Sequence, residues 1–291
     1  MNIAAFDIGG TALKMGVITS AGQVLEKDKV SINDSDGEQI LQAMLHWLAA
    51  HPQCQGVAIS APGYVDPHRG FIEMGGAIRR FDNFAMKSWV QNNLHLPVAI
   101  ENDANCVLLA ERWHGKAAGM ANCLVLTIGT GIGGAILCNN QLVHGARFRA
   151  GEFGYMVTER PGPRDIRRYT MNDTCTLRIL RQHYADYAGL PLNTVSGEDV
   201  FSLYEAGDLV CQRLVSDFLN NLATGLYNLV NLFDPQTIFI GGGIVERPGF
   251  LKLLREHLVW FGIDQYIDEV SHGNDAGLIG AVYHFNQQHP S

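Results

Sequence analysis

Two segments of the chain share one pattern of hydrophobic and polar positions. Residues 3–18 (IAAFDIGGTALKMGVI) and residues 124–137 (LVLTIGTGIGGAIL) both contain an apolar run, a glycine-rich turn with threonine, and a second apolar run. Short apolar runs on either side of such a turn predict two β-strands joined as a hairpin. Because the pattern occurs twice, the sequence predicts two related halves.

Helices and strands alternate after the first hairpin. Ser35 or Asp36 is a suitable N-cap for a helix. The apolar residues of this helix fall on one face and are Ile40, Leu41, Met44, Leu45 and Leu48. Residues 56–60 and 98–100 predict buried strands, and residues 104–113 predict a helix. This alternation is typical of an α/β domain.

The second half continues the alternation. Residues 199–233 predict helical structure with a break near Gly207, and residues 237–240 predict a buried strand that ends in three glycines. Pro248 suits the start of a further helix. A last helix is predicted over about residues 276–287. The second half is therefore also predicted to be α/β.

A segment of small residues separates the two halves. Residues 115–121 (GKAAGMA) directly follow a predicted helix and have the composition of a flexible linker. We therefore expect one domain over residues 1–118 and a second over residues 119–291. Both fall within the usual size of a domain.

The composition excludes several classes of protein. Hydrophobic residues make up 47% of the 291 residues and charged residues 17%, which excludes a mainly disordered chain. The net charge of −8 disfavours a nucleic-acid-binding protein, because such proteins neutralise phosphates with basic residues. No signal peptide or membrane-spanning run is evident, so we expect a cytoplasmic protein without a membrane partner. The dispersed cysteines predict reduced core residues.

One glycine pattern raises the possibility of a dinucleotide site. Gly129, Gly131 and Gly134 match the G-x-G-x-x-G fingerprint. The fingerprint requires a helix directly after the glycines, whereas residues 135–138 predict a second strand. A dehydrogenase is therefore the weaker alternative for this segment.

Glycine-rich turns of this kind also suit phosphate groups. Residues 9–11, 129–134 and 241–243 each place backbone N–H groups in a turn, and such turns bind anions. Polar groups that could add to phosphate binding are Thr11, Thr127, Thr130 and Lys14. Asp7 is placed to orient Mg²⁺ or its water shell. The alternative for either hairpin alone is a tight turn with no ligand.

Two carboxylates are candidates for chemistry. Asp103 follows Asn102 where a predicted strand meets a helix, and ligands of α/β proteins bind at strand ends. There Asp103 could accept the proton of a hydroxyl that attacks a phosphate, while Asn102 holds a neighbouring hydroxyl. Glu152 in a glycine-rich loop is a second candidate ligand of a polyol. The alternatives are a helix N-cap for the first pair and a solvated loop carboxylate for Glu152.

The order of these motifs resembles that of the ROK family of sugar kinases (repressor, open reading frame, kinase), within the actin- and hexokinase-like superfamily. The resemblance covers essentially the whole chain. The matching segments are 7–11 (DIGGT), 101–105 (ENDAN), 127–134 (TIGTGIGG), 150–154 (AGEFG), 233–243 (FDPQTIFIGGG) and 276–281 (AGLIGA). It implies an α/β fold of two actin-like (ribonuclease H-like) domains facing a cleft, with the C-terminal helix packing back on the first domain.

The same resemblance implies an ATP-dependent sugar kinase that uses Mg²⁺, with Asp103 as the general base. The residues it implies for sugar binding are Gly63, Gly76, Ala77, Asn102, Asp103, Glu152 and Tyr155. Those it implies for ATP and its phosphates are Asp7, Gly9, Gly10, Thr11, Lys14, Thr130, Gly131, Gly133, Gly242 and Gly243. Asp7 is expected to hold Mg²⁺ through ATP or water. The family also implies a homodimer.

The sequence departs from the family pattern in the sugar-binding region. Tyr155 replaces the usual histidine, and residues 158–178 contain only Cys175 where the family has a cysteine cluster, so we expect no zinc site. Residues 75–84 replace the usual sugar loop of glucokinases. Together these departures are similar to a branch that phosphorylates O6 of the non-reducing glucose of β-linked disaccharides such as cellobiose.

Other functions remain open at this point. A kinase of glucose, fructose or an N-acetylhexosamine would use the same phosphate motifs and differ only in its sugar pocket. A sugar-sensing member of the family that does not catalyse is a second alternative. A repressor is disfavoured, because the first phosphate motif begins at Asp7 and leaves no room before it for a DNA-binding helix-turn-helix. The scattered histidines, His144 and His272 among them, have no predicted role.

Overall fold

The computed structural model describes residues 1–33, 35–163 and 165–290, and the contacts within it divide the chain into two units. The first contains Met1–Met120, Leu142–Ala150 and Ser271–Ser291, and the second contains Ala121–Gln141 and Gly151–Val270. Two stretches beyond residue 118, one of them the C-terminal helix, therefore make their contacts within the first unit.

The first unit is built on a five-stranded mixed sheet. Its elements are β1 (Asn2–Ile8), β2 (Ala12–Thr19), β3 (Val24–Ser31), α1 (Gly37–Ala50), β4 (Val57–Ala61), β5 (Tyr64–Asp66), β6 (Phe71–Met74), α2 (Met86–Leu94), β7 (Val98–Asn102) and α3 (Asp103–His114). The sheet has the order β3-β2-β1-β4-β7, in which β1, β4 and β7 are parallel. Strands β5 and β6 form a separate antiparallel hairpin.

The second unit repeats this arrangement. Its elements are β8 (Cys123–Ile128), β9 (Ile132–Cys138), β10 (Gln141–Leu142), α4 (Met171–Thr174), α5 (Leu177–Ala188), α6 (Gly197–Glu205), α7 (Leu209–Phe233), β11 (Thr237–Gly241), α8 (Phe250–Leu258) and β12 (Ile267–Glu269). The sheet has the order β10-β9-β8-β11-β12, with β8, β11 and β12 parallel. The shared strand order agrees with the two related halves that the sequence predicts.

The last helix, α9 (Ala276–Gln288), covers one face of the first sheet. Ile3 and Ala58 on that face pack with Leu278 and Phe285 of α9, and all four are buried. The opposite face of the same strands packs on α1 in a second cluster that includes Phe6. Because both faces are covered, β1 and β4 read as continuous apolar runs rather than as alternating ones. The predicted α/β class and the return of the C-terminal helix are confirmed.

Several predicted boundaries hold, but among the strands that the structure describes five were not predicted, namely β3, β5, β6, β10 and β12. Asp36 is the N-cap of α1, accepting hydrogen bonds from the next backbone amides. The break near Gly207 separates α6 from α7. Strand β3 was not predicted, because its sequence VLEKDKVS is charged and mostly exposed, as is usual for an edge strand. Among the described residues, no helix is both long and apolar enough to cross a bilayer.

Candidate functional site

The junction between β7 and α3 carries the two candidate residues Asn102 and Asp103. Asn102 is the N-cap of α3, and its Oδ1 accepts a hydrogen bond from the backbone N–H of Asn105 at 3.1 Å. Its Nδ2 donates to the backbone oxygen of Gly63 at 3.0 Å. Asp103 is the first residue of the helix. The capping role therefore belongs to Asn102, and the Asp103 carboxylate is not needed for it.

The Asp103 carboxyl group has an unusual pKa. This pKa is raised to about 6, chiefly by burial and also by the negative charge of Asp7. The backbone N–H of Ala104, which donates to Oδ1 at 2.8 Å, acts in the opposite direction. A carboxylic acid with this pKa ionises near neutral pH and still accepts a proton readily. This property suits a general base.

Asp7 is fixed by two donors at the end of β1. Ser60 donates its hydroxyl to Oδ1 at 2.7 Å, and Lys14 donates its ammonium to Oδ2 at 3.0 Å. Lys14 also donates to the backbone oxygen of Asn274 at 3.0 Å. The sequence predicts the Lys14 ammonium as a phosphate ligand. In the structure it is bound to Asp7 and Asn274, so at most one of its three N–H donors is left for a phosphate.

The turn between β1 and β2 contains the first phosphate motif. The Gly9 N–H donates to the oxygen of Ala12 at 2.9 Å, and the oxygen of Thr11 accepts from Ile32 at 2.9 Å. The Ser35 hydroxyl donates to the oxygen of Gly10 at 3.0 Å. These bonds hold the turn at the same end of the sheet as Asn102, because β1 and β7 run parallel.

Three of the predicted sugar-binding residues lie in loops beside this turn. Gly63 has φ +86°, and a side chain on it would overlap the backbone that follows β6. A Cβ atom added to Gly63 would lie 2.9 Å from the backbone nitrogen of Gly76. A Cβ atom added to Gly10 would lie 3.5 Å from the methyl group of Ala77. Gly10, Gly63, Gly76, Ala77 and Asn102 are therefore brought together within the first unit.

The second phosphate motif forms the turn between β8 and β9. The N–H of Gly129 donates to the oxygen of Gly131 at 3.0 Å, and Gly133 pairs with Thr127 across the hairpin. The side chain of Asn172 accepts from the N–H of Ile132 at 2.8 Å. Asn172 was not predicted, because it lies 40 residues along the chain from its partner and belongs to no glycine motif.

Gly242 and Gly243 lie next to that turn. Gly242 has φ +87°, and a Cβ on it would be 2.4 Å from the backbone oxygen of Ile128, so only glycine fits. A cavity of about 510 Å³ is lined by Thr130, and another of about 380 Å³ by Gly243. Both cavities are also lined by Leu177, Ser196 and Gly197. The second unit thus joins its glycine turns to a space large enough for part of a nucleotide.

The loop with Glu152 and Tyr155 packs on β9 in the second unit. Phe153 is buried against Gly134, whose missing side chain leaves room for the ring. The backbone oxygen of Glu152 accepts from the N–H of Tyr155 at 3.2 Å. The Tyr155 side chain is 50% exposed, so its ring is accessible to a ligand.

A buried ion pair supports the β7–α3 junction and was not predicted. Glu101 is fully buried; its Oε1 accepts from the N–H of Asn102 at 2.7 Å and from the Asn105 side chain at 3.0 Å. His144 Nε2 lies 2.7 Å from Oε2. Burial alone would raise the pKa of Glu101, but the hydrogen bond and charge of His144 outweigh it and lower that pKa. Burial alone would lower the pKa of His144, and Glu101 raises it above its ordinary value.

Hydrogen bonds hold the stretch in which the family pattern has a cysteine cluster. Cys175 is buried and its Sγ donates to the oxygen of Met171 at 3.3 Å. The hydroxyls of Thr158 and Thr174 are 2.9 Å apart. In the part of the chain that the structure describes, no group of three or more His, Cys, Asp or Glu side chains is arranged to hold a metal ion.

The chain belongs to the ROK family, whose family model matches residues 3–288. It is 73% identical to a β-glucoside kinase of Klebsiella pneumoniae over 100% of this chain and 98% of the relative. A solved structure from Listeria monocytogenes, described as a candidate N-acetylmannosamine kinase, is similar with a TM-score of 0.96 and 55% identity over 99% of both chains. A ROK family protein of Streptococcus pneumoniae in complex with sucrose has a TM-score of 0.86 and 31% identity, also over 99% of both.

The geometry of the junction predicts opposite effects of two neighbouring substitutions on stability. The pKa of Asp103 is raised from 3.8 to about 6, so ionisation of this group destabilises the folded state above about pH 6, and this effect is lost as the pH falls towards 4. Asp103→Asn should therefore increase the free energy of unfolding at pH 7.5 and increase it less at pH 5. Urea unfolding at the two pH values measures the difference.

Asn102→Ala is the control for this experiment. It removes the N-cap and should lower the free energy of unfolding by about 1 kcal/mol at both pH values. If Asp103→Asn destabilises the protein as much as Asn102→Ala does at both pH values, the Asp103 carboxylate stabilises the fold. The interpretation that its ionised form destabilises the folded state would then be wrong.

Proposed function

We propose that this protein is an ATP-dependent kinase of β-glucosides that phosphorylates O6 of the non-reducing glucose, with Asp103 as the general base. The observation that supports the chemistry is the partly buried Asp103 carboxyl group, with a pKa of about 6, next to Asn102. The 73% identity to the Klebsiella β-glucoside kinase, over the whole chain, supports the substrate class.

The first unit supplies the groups that bind and activate the acceptor. Asp103 removes the proton from O6 as this oxygen forms a bond to the γ-phosphorus, and the bond from phosphorus to the oxygen of ADP breaks. The proton then passes from Asp103 to solvent. The Asn102 Oδ1 keeps a lone pair beyond the one that accepts from the Asn105 N–H, and this lone pair accepts a hydrogen bond from a neighbouring sugar hydroxyl. Gly63, Gly76 and Ala77 have no side chain or a small one, so their backbone can approach the ring of the glucose closely.

Glycine turns supply the phosphate contacts. In the second unit Thr130, Gly131 and Gly133 present N–H groups and a hydroxyl to phosphate oxygens. Gly242 and Gly243 leave space beside them for the nucleoside. The two cavities lined by Leu177 are the space in which we propose that it binds. In the first unit the N–H groups of Gly10 and Thr11 supply further contacts, in the turn that the Gly9 N–H closes by donating to Ala12.

Asp7 and Lys14 supply the charges near the first turn. Each oxygen of the Asp7 carboxylate retains a lone pair beyond those used by Ser60 and Lys14, so Asp7 suits a water molecule of Mg²⁺ bound to ATP. The ion would neutralise charge on the phosphates. In the second unit, Glu152 and Tyr155 complete the set of sugar-binding residues that we propose.

A kinase of free hexoses or N-acetylhexosamines is the second candidate. The description of the Listeria structure as a candidate N-acetylmannosamine kinase favours it. The acceptor alone distinguishes the two functions, because the phosphate-binding residues would be the same.

The role of Asp103 predicts a large loss of turnover in one variant. Asp103→Asn keeps the shape of the side chain but cannot accept the proton, so kcat should fall by about 10²- to 10⁴-fold while sugar binding changes little. A coupled assay of ADP release measures kcat, and calorimetry measures sugar binding. Asp217→Asn, which changes an exposed carboxylate on α7, is the matched control and should keep wild-type turnover. Near-wild-type turnover of Asp103→Asn would show that the general base is another group.

The substrate class predicts an order of preference among acceptors. With ATP and Mg²⁺, kcat/KM should be higher for cellobiose, gentiobiose or an aryl β-glucoside than for glucose, fructose, N-acetylglucosamine or N-acetylmannosamine. A tenfold preference corresponds to about 1.4 kcal/mol, which a few contacts to a second ring can supply. Higher kcat/KM for any free monosaccharide would favour the second candidate. No turnover on the whole panel would favour a sugar sensor.

A further inference from the structure

Arg149 differs from three arginines of the first unit in its polar contacts. Arg69, Arg79 and Arg80 each lie within ion-pair distance of a carboxylate on their own or a neighbouring segment. Across residues 1–33, 35–163 and 165–290, Arg149 has no hydrogen bond and no ion pair; its guanidinium lies 4.4 Å from the centre of the Tyr64 ring. The side chain is exposed. A planar group with five N–H donors is thus held on an aromatic ring with its donors unused.

Tyr64 places this pair next to the proposed acceptor site. It is the first residue of β5 and directly follows Gly63, whose backbone oxygen accepts the hydrogen bond from the Asn102 side chain. Asn102 in turn precedes Asp103. The Tyr64 ring is only partly buried, so part of it is accessible beside the groups that we propose hold the glucose to be phosphorylated.

The segment that carries Arg149 is fixed in an unusual conformation. Phe148 has φ +53°, a left-handed conformation that costs a bulky residue on the order of 1–3 kcal/mol. His144 holds the segment at both ends, because its ring pairs with Glu101 at 2.7 Å and its backbone oxygen accepts from the N–H of Ala150 at 3.1 Å. Such strain is found where a segment serves a ligand. The next residue after Phe148 is Arg149, whose guanidinium lies over the Tyr64 ring.

We propose that Tyr64 and Arg149 form the subsite for the second ring of a β-glucoside, and this inference rests on the proposed function. The Arg149 guanidinium donates hydrogen bonds to hydroxyls of the second sugar, or stacks on an aryl group in its place. The Tyr64 ring orients the guanidinium and contacts the apolar face of the ligand. Free glucose, when it occupies the site beside Asp103, does not extend to these two residues.

The test separates the second ring from the first. Cellobiose and glucose are compared by kcat/KM and by calorimetric affinity for the wild-type protein, Tyr64→Ala, Arg149→Ala and Arg149→Lys. In each subsite variant kcat/KM for cellobiose should fall about tenfold or more, chiefly because KM rises and affinity falls. The kcat/KM for glucose should fall by less than about twofold. Arg149→Lys should lose most of the same preference, because a lysine keeps the charge but not the planar set of donors.

Two control variants complete the experiment. Arg69→Ala removes another arginine stacked on an aromatic ring, Phe71 at 4.7 Å, and should leave both substrates unchanged. Tyr64→Phe keeps the ring and should retain the preference for cellobiose even if Tyr64→Ala disturbs folding. Melting temperatures of all variants report on folding.

Four outcomes would overturn the subsite. An equal loss on cellobiose and glucose would mean that the pair supports the fold of the site, and no loss on either would mean that it binds nothing. A loss of cellobiose preference in Tyr155→Ala, with none in Tyr64→Ala and Arg149→Ala, would place the second ring at Tyr155. A wild-type protein that prefers glucose would overturn the proposed function, and the subsite with it.

Discussion

The site depends on keeping one carboxylate, that of Asp103, partly out of water where strand β7 meets helix α3. Glu101 and Asp103 are separated by a single residue, yet their pKa values shift in opposite directions. Glu101 has an ion-pair partner in His144 and accepts two further hydrogen bonds, so it stays charged. Burial and the negative charge of Asp7 raise the pKa of Asp103, and together they outweigh the hydrogen bonds from the Asn102 side chain and two backbone N–H groups that lower it. Such a divergence fits a structural role for Glu101 and the role in proton transfer that we propose for Asp103.

The sheet topology explains why the candidate residues converge within each unit. In the first unit β1, β4 and β7 run parallel, so the residues at or just after their carboxyl ends, including Asp7, Gly63 and Asn102, come to one edge of the sheet. In the second unit β8 and β11 run parallel and bring Thr130 and Gly242 together in the same way. Ligands of open α/β sheets bind at the carboxyl ends of strands, and one topology used twice therefore gives two binding edges.

Local signals in the sequence were sufficient for the framework of the fold. The two glycine-rich hairpins, the strand that leads into Asp103 and the helix break near Gly207 each lie within a continuous segment, so hydrophobic periodicity and turn residues indicate them. The charged edge strand β3 has no such pattern. Its pairing with β2, rather than its own sequence, makes it a strand.

Contacts between distant segments could not be predicted in this way. His144 lies 43 residues from Glu101, and Asn172 lies 40 residues from Ile132. Arg149 reaches Tyr64 only because residues 142–150 return to the first unit after the β8–β9 hairpin. No spacing rule connects such pairs. They are nevertheless the residues that fix the junction, the second phosphate turn and the proposed subsite.

The pH dependence of kcat/KM for cellobiose tests the central claim most directly, since kcat/KM reports the ionisation of essential groups in the free enzyme. With Asp103 as the base, kcat/KM should be level near pH 7 to 8 and fall about tenfold per pH unit below about pH 6, where the carboxylate is protonated. The residual activity of Asp103→Asn should lack this acidic limb. A wild-type profile that stays level down to pH 5, or an identical limb in Asp103→Asn, would contradict the account.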